Sequence, residues 1–136
     1  LPLQNAGQEI IDELHENGKG VTCYTSIGTV EDWREDADNF HTGAVGRVTS
    51  SLANERWIDA TQAEICGIMS ACVEKAAGMN CDAVEPDNMM TYAVEGTGID
   101  VSEAEQIEYN SWFTDEVHTN GMSVFSRTPL DWSPSS

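Results

Sequence analysis

Strand-like and helix-like stretches alternate along this chain, and the alternation restricts its fold more than any other feature. VTCYTSIG, at 21–28, is β-branched and aromatic and breaks at Gly28. ERWID (55–59), CDAVE (81–85) and MSVFS (122–126) have the same strand character. Between the second and third of these, Ile65, Ile68, Met69, Cys72, Val73 and Ala76 recur at helical spacing and stop at Gly78. Thr61 and Glu64 ahead of them have the spacing of a capping box. Ser102 and Glu105 repeat that signal before a segment that would bury Ile107, Tyr109, Trp112, Phe113 and Val117 and end at Asn120-Gly121. An opening helix, 7–17, aligns Ile10, Ile11 and Leu14 and stops at Gly18. Such an order predicts an α/β fold of about four parallel strands joined by right-handed helical crossovers.

The length, 136 residues, fits one domain with a modest core. That domain is expected over 1–127, followed by a loosely ordered Pro- and Ser-rich tail, TPLDWSPSS, at 128–136. The polar stretch after Gly28, with EDWREDAD at 31–38 and Gly43 and Gly46, exceeds an ordinary connection and reads as a functional or lid-like loop. No apolar run reaches 18 residues, so no membrane span is expected. The first residue is Leu1, and a processed, secreted chain is the expectation. Cys23, Cys66, Cys72 and Cys81 match no zinc spacing. Cys66 and Cys72 should not pair, being six apart on one helix; Cys72 with Cys81 is geometrically possible, and buried thiols are the alternative.

Charge narrows the partners. There are 24 Asp and Glu against 6 Lys and Arg, a net charge of −18. Such a surface repels polyanions, and Arg34, Arg47, Arg56 and Arg127 are too scattered to grip phosphates. A cationic glycan would be attracted, while plain solubility is the simpler reading of the acidity.

In parallel α/β sheets, sites form at the carboxyl ends of strands. Those ends here are Thr25, Ser26 and Gly28; Ile58 and Asp59; Glu85, Asp87 and Asn88; and Ser126 and Arg127. Glu85 and Asp87, two apart on a strand, should face the same way with backbones roughly 7 Å apart. They are the leading candidates for chemistry.

CYTSIGTVEDWREDADNF, ERWID, MNCDAVEPDN and YNSWFTDEVHTNGMSV, in that order, resemble the endo-α-1,4-polygalactosaminidase family of glycoside hydrolases, family 114. The resemblance runs from about Gly18 to Val124. It implies a (β/α)8 barrel of which this chain corresponds to the central half, with a pair of strands missing on either side. The fold expected is therefore a half TIM-barrel, completed to eight strands by a homodimer or extended edge to edge. The family's acidic residue falls on Asp87, with Glu85 and Asn88 beside it. Its second catalytic carboxylate lies on a later strand that this chain does not contain, and its Lys-Asn pair is replaced by Arg127-Thr128. On this reading Glu85 and Asp87 are catalytic, no cofactor is needed, and Tyr24, Ser26, Trp33, Arg56, Asp59, Asn88 and Arg127 bind a polygalactosamine substrate.

Two other readings compete. Glu85, Asp87 and Asn88, with Asp59 nearby, are oxygen ligands suited to Mg²⁺ or another divalent cation, with Glu85 and Asp87 as the metal residues. The size and the acidic strand-end motif are similar to those of mushroom ribotoxin-like ribonucleases. RNA would then bind only with metal assistance, and Tyr24, Arg56 or His118 would act as acid, base or phosphate ligand. The third reading is a non-catalytic glycan-binding module stacking sugars on Trp33, Trp57 or Tyr24, although Trp57 reads more naturally as core. His15 and His118 sit near helix C-termini, where dipole capping is the ordinary role, and His41 lies in the long loop.

Overall fold

The computed structural model describes Leu3 and residues 7–31, 45–48 and 55–125. Along the chain these form α1 (Gln8–Glu16), β1 (Thr22–Ser26), β2 (Thr29–Glu31), β3 (Val45–Val48), β4 (Glu55–Ile58), α2 (Ala63–Gly78), β5 (Ala83–Asp87), α3 (Glu103–Thr119) and β6 (Ser123–Val124). The tail 128–136, with Trp33, His41, Ser126 and Arg127, lies outside the described residues.

The architecture is mixed α/β, with a parallel sheet of order β1-β5-β6. Its register runs from Thr22↔Ala83 to Ser26↔Asp87 and continues as Ala83↔Ser123. This sheet has three described strands rather than the four expected. ERWI is the exception: β4 pairs antiparallel with β2 and β3 in a separate sheet of order β2-β4-β3. The reason is local. Residues 29–31 form a new strand after only two residues beyond β1, and Ile58 N–H donates to Gly28 O at 3.0 Å, which fastens β4 beside that excursion. What reads as one long connection thus contains two strands of a small antiparallel unit.

Alternation sets the two faces of the parallel sheet. Cys23, Thr25 and Val84 are buried and meet the helices, whereas Thr22, Tyr24, Ala83 and Glu85 on the other face are only partly covered. The helices cover the first face with Ile65, Met69, Val73 and Ala76 from α2 and with Tyr109, Phe113 and Val117 from α3. Phe113 is wholly inaccessible; truncating such a side chain costs about 3–5 kcal/mol. Two stripes differ from expectation. Ile11 of α1 is buried but Ile10 is 49% exposed, since the helix docks along a narrow edge. In α3, Ile107 and Trp112 are half-buried, and the polar Gln106 and Asn110 are buried instead.

The caps also divide. Ser102 and Glu105 form the expected box, each side chain bonding the other's backbone N–H. Thr61 and Glu64 do not: Gln62 is the N-cap of α2, because Asp59 takes both the N–H and the hydroxyl of Thr61. The turn after α2 uses Asn80 (φ 65°) rather than Gly78 as its left-handed residue. The disulfide joins Cys23 to Cys81, not Cys72 to Cys81. Cys81 enters β5 beside β1, so Cys23 on the neighbouring strand is at bridging distance (Cα–Cα 6.1 Å), while Cys72 remains a buried thiol on α2.

Candidate active site

Asp87 ends β5 beside Ser26, the last residue of β1, and its carboxylate is held at both oxygens. The Tyr24 hydroxyl donates to Oδ2 at 2.9 Å, and the backbone N–H of Asn88 donates to Oδ1 at 2.8 Å. A carboxylate fixed by two donors has a defined orientation at no entropic cost during reaction. Asn88 is itself locked. It adopts a left-handed backbone (φ 58°), and its Nδ2 donates to Ser26 Oγ at 2.8 Å and to Thr29 Oγ1 at 3.2 Å. Ser26 Oγ also accepts the Thr29 N–H at 3.0 Å and lies 2.6 Å from Thr29 Oγ1. Gly28 makes this possible, because a Cβ there would come within 2.0 Å of the Asn88 carbonyl oxygen.

The loop after Asn88 is held from beneath by the polar pair of α3. Asn110 Nδ2 donates to Met89 O at 3.1 Å, Gln106 Oε1 accepts from Thr91 N–H at 3.1 Å, and Gln106 Nε2 donates to Asn110 Oδ1 at 3.0 Å. Tyr109 between them donates to Ile27 O at 2.7 Å. One helix therefore fixes both strand ends that border the site.

A cleft of about 200 Å³ opens beside Asp87, walled by Trp57, Asn88, Met89, Met90 and Val94. It offers an apolar wall with one oriented carboxylate, the composition of a site that grips a substrate's apolar face and directs one polar group. Trp57 is half-buried and forms this wall rather than belonging to the core. β4 reaches the site through the antiparallel excursion, which periodicity alone did not reveal.

The sequence candidates separate in space. Tyr24, Ser26, Asp87 and Asn88 come together. Glu85 pairs in register with Tyr24 and lies two residues back along β5 on the same sheet face. Arg56 is exposed and, by alternation, on the opposite face of β4 from Trp57. Asp59 is engaged in the turn before α2 through Thr61 and Gln62. His118 lies near the far end of α3, roughly 12 Å along its axis from Asn110, so it does not reach Asp87. Trp33 and Arg127 lie outside the described residues. Thr29, Met89, Met90 and Val94 were not anticipated, and the signal available for the supporting pair was two amides, Gln106 and Asn110, at i and i+4 on the helix and in line with Phe113 and Val117.

A divalent cation would need several converging oxygens. Among the described residues no group of three or more His, Cys, Asp and Glu side chains is placed to hold one, so the geometry gives the Mg²⁺ reading no support.

At the other end of β5, His15 Nε2 of α1 lies 2.8 Å from Asp82 Oδ2, which also accepts the Val21 N–H at 2.7 Å. The His15 hydrogen bond, then that of Val21, hold the Asp82 carboxyl below its ordinary value of 3.8. This pair ties α1 to the sheet, away from the cleft. No described helix is long and apolar enough to cross a membrane.

Ega3 from Aspergillus fumigatus, solved with galactosamine, matches with a TM-score of 0.87 and 29% identity, over 90% of this chain and 49% of its own. The glycoside hydrolase domain of PelA from Pseudomonas aeruginosa matches at 0.70 and 13%, over 99% and 53%. An α-galactosidase from Thermus thermophilus, in complex with p-nitrophenyl α-D-galactopyranoside, matches at 0.64 and 13%, over 88% and 26%. The last two speak to fold alone: a parallel sheet with helices, similar to TIM-barrel glycosidases. The chain spans about half the length of Ega3 and of the PelA domain. No curated protein sequence matches it significantly. The profile of glycoside-hydrolase family GH114 matches residues 2–134, nearly the whole chain, and the protein belongs to that family.

Proposed function

We propose that this chain supplies one carboxylate half of a glycosidase active site that cleaves an α-1,4-linked galactosamine polymer. The observation that carries the reading is Asp87, oriented by the Tyr24 hydroxyl and the Asn88 N–H on the wall of a cleft lined by Trp57. Family membership and the likeness to a protein solved with galactosamine support it. The charge of −18 favours a polycationic substrate.

Glycoside hydrolysis uses two carboxyl groups across the scissile bond, about 5 Å apart for retention or roughly 6.5–9.5 Å for inversion. Glu85 and Asp87 leave one strand on one face, so they cannot flank a sugar from opposite sides. Asp87 acts on the bond, Glu85 contributes charge deeper on the sheet face, and the second acid comes from strands that pair with the edges β1 and β6. A second copy or further polypeptide would provide those strands. Edge closure explains why the sheet face carrying Tyr24 and Glu85 is only partly covered. The intrachain disulfide suits a secreted protein in an oxidising compartment.

Light scattering on the chain, followed by a reducing-end assay on α-1,4-galactosamine polymer, tests the reading. Cleavage by the assembled form, abolished by Asp87→Asn without loss of fold, is the expected result. Unchanged cleavage in Asp87→Asn, or cleavage that EDTA stops, would overturn it.

A further inference from the structure

A second cleft of about 310 Å³ is lined by Ala60 and Thr61 ahead of α2, by Cys66 in its first turn and by residues 105–112 of α3. Its volume reaches the lower end of the roughly 300–1,000 Å³ typical of small-molecule sites. Cys66, Glu105, Glu108, Tyr109 and Trp112 form its working walls.

Two features give this cleft a preference. The first is a fixed aromatic platform. Half-buried Trp112 stacks on Tyr109, with ring centroids 6.0 Å apart and planes inclined by 19°, and Tyr109 is anchored to Ile27 O. The second is one-sided charge. Glu105 is held in place by the Ser102 N–H, Glu108 is exposed on the next turn, and no lysine or arginine is among the described lining residues. Burial and the charge of Glu116 push the Cys66 thiol up, so that wall is a neutral thiol. A Trp face attracts cations through its quadrupole and packs against apolar C–H surface. A hexosamine with a free ammonium offers both, whereas a neutral sugar lacks the charge and a metal ion lacks the apolar face.

We propose that this cleft is a surface subsite for a positively charged amino-sugar unit of a glycan, with the sugar ring over Trp112 and its ammonium toward Glu105 and Glu108. The position survives barrel closure. α2 and α3 cover the adjacent strands β1, β5 and β6, and new strands add beyond β1 or β6, so the groove between the two helices stays open. A polymer held here and at Asp87 gains from the high effective concentration of a second attachment. The ligand class rests on the cationic-glycan reading above; the location does not.

The test is a ¹H–¹⁵N titration of the intact chain with a tetramer of α-1,4-linked galactosamine at about pH 6, repeated with the fully N-acetylated tetramer. The Trp112 indole N–H signal should shift saturably with the cationic tetramer and respond about tenfold more weakly to the acetylated one. The shift should persist in Asp87→Asn, weaken roughly threefold in Glu108→Gln, and vanish in Trp112→Ala. An unmoved indole, equal affinity for both tetramers, or a response lost with Asp87→Asn would overturn the proposal. Should Trp112→Ala fail to fold, the exposed Glu108→Gln variant and the wild-type indole signal decide the matter. A chain that binds at Trp112 but cleaves nothing would leave this subsite standing while the hydrolase reading fell.

Discussion

The Tyr24 hydroxyl and the Asn88 N–H hold the two oxygens of Asp87, so the carboxylate has one direction in which to work. Hydrogen bonds to charged groups are worth about 1.5–3 kcal/mol. Tyr24→Phe deletes one donor and little volume. On the proposed function it should lower the rate of reducing-end release roughly 10- to 100-fold, with an unchanged circular dichroism spectrum. The strand-end location of Asp87 and its neighbours was readable from EPDN after an apolar strand. Tyr24 was named for the site through the family resemblance, as a substrate-binding residue and not as a partner of Asp87. That it reaches Asp87 follows from the register Tyr24↔Glu85 and Ser26↔Asp87, which composition does not encode.

Elements meet through polar contacts that periodicity overlooks. Gln106 and Asn110 turn the buried face of α3 into a clamp on the loop after β5. Asn110→Leu would leave Met89 O and Gln106 with lost partners inside the protein, a cost of about 1–3 kcal/mol. Urea denaturation should register that loss, and amide exchange at Thr91 should quicken. At the opposite end, the bond from His15 binds α1 to the entry of β5. Asp82 has a lowered carboxyl pKa in the native state, so its stabilising effect is complete above its ordinary value of 3.8 and fades as pH falls through the native value. The Asp82 side chain is 55% exposed, which keeps the effect small and salt-sensitive. Urea midpoints measured between about pH 3 and pH 6 should fall less steeply on acidification in Asp82→Asn than in the wild type. The helix stripes were plain in the sequence for α2, where apolar residues face one layer. For α3 the stripe marked Tyr109, Phe113 and Val117, which are buried, and missed the amides Gln106 and Asn110 buried alongside them.

On the scale of the molecule, the parallel sheet and the antiparallel excursion are joined at Gly28, where the chain passes Asn88 too closely for any side chain. The disulfide spans 58 residues, so removing it by Cys23→Ser with Cys81→Ser frees a long loop in the unfolded chain. The cost should be about 2–5 kcal/mol, read as a lowered thermal midpoint with native far-ultraviolet circular dichroism at low temperature.

By itself the sequence determined the class of fold, the helices α1, α2 and α3, the strand tip that carries Asp87, and the family, because these depend on local periodicity, capping and short contiguous motifs. Tertiary structure alone decided that ERWI turns antiparallel, that Cys23 takes Cys81, and that Trp57 leaves the core to wall a cleft. Each of those outcomes depends on which distant segments become neighbours. A residue's own propensity carries no information about that until the chain has folded.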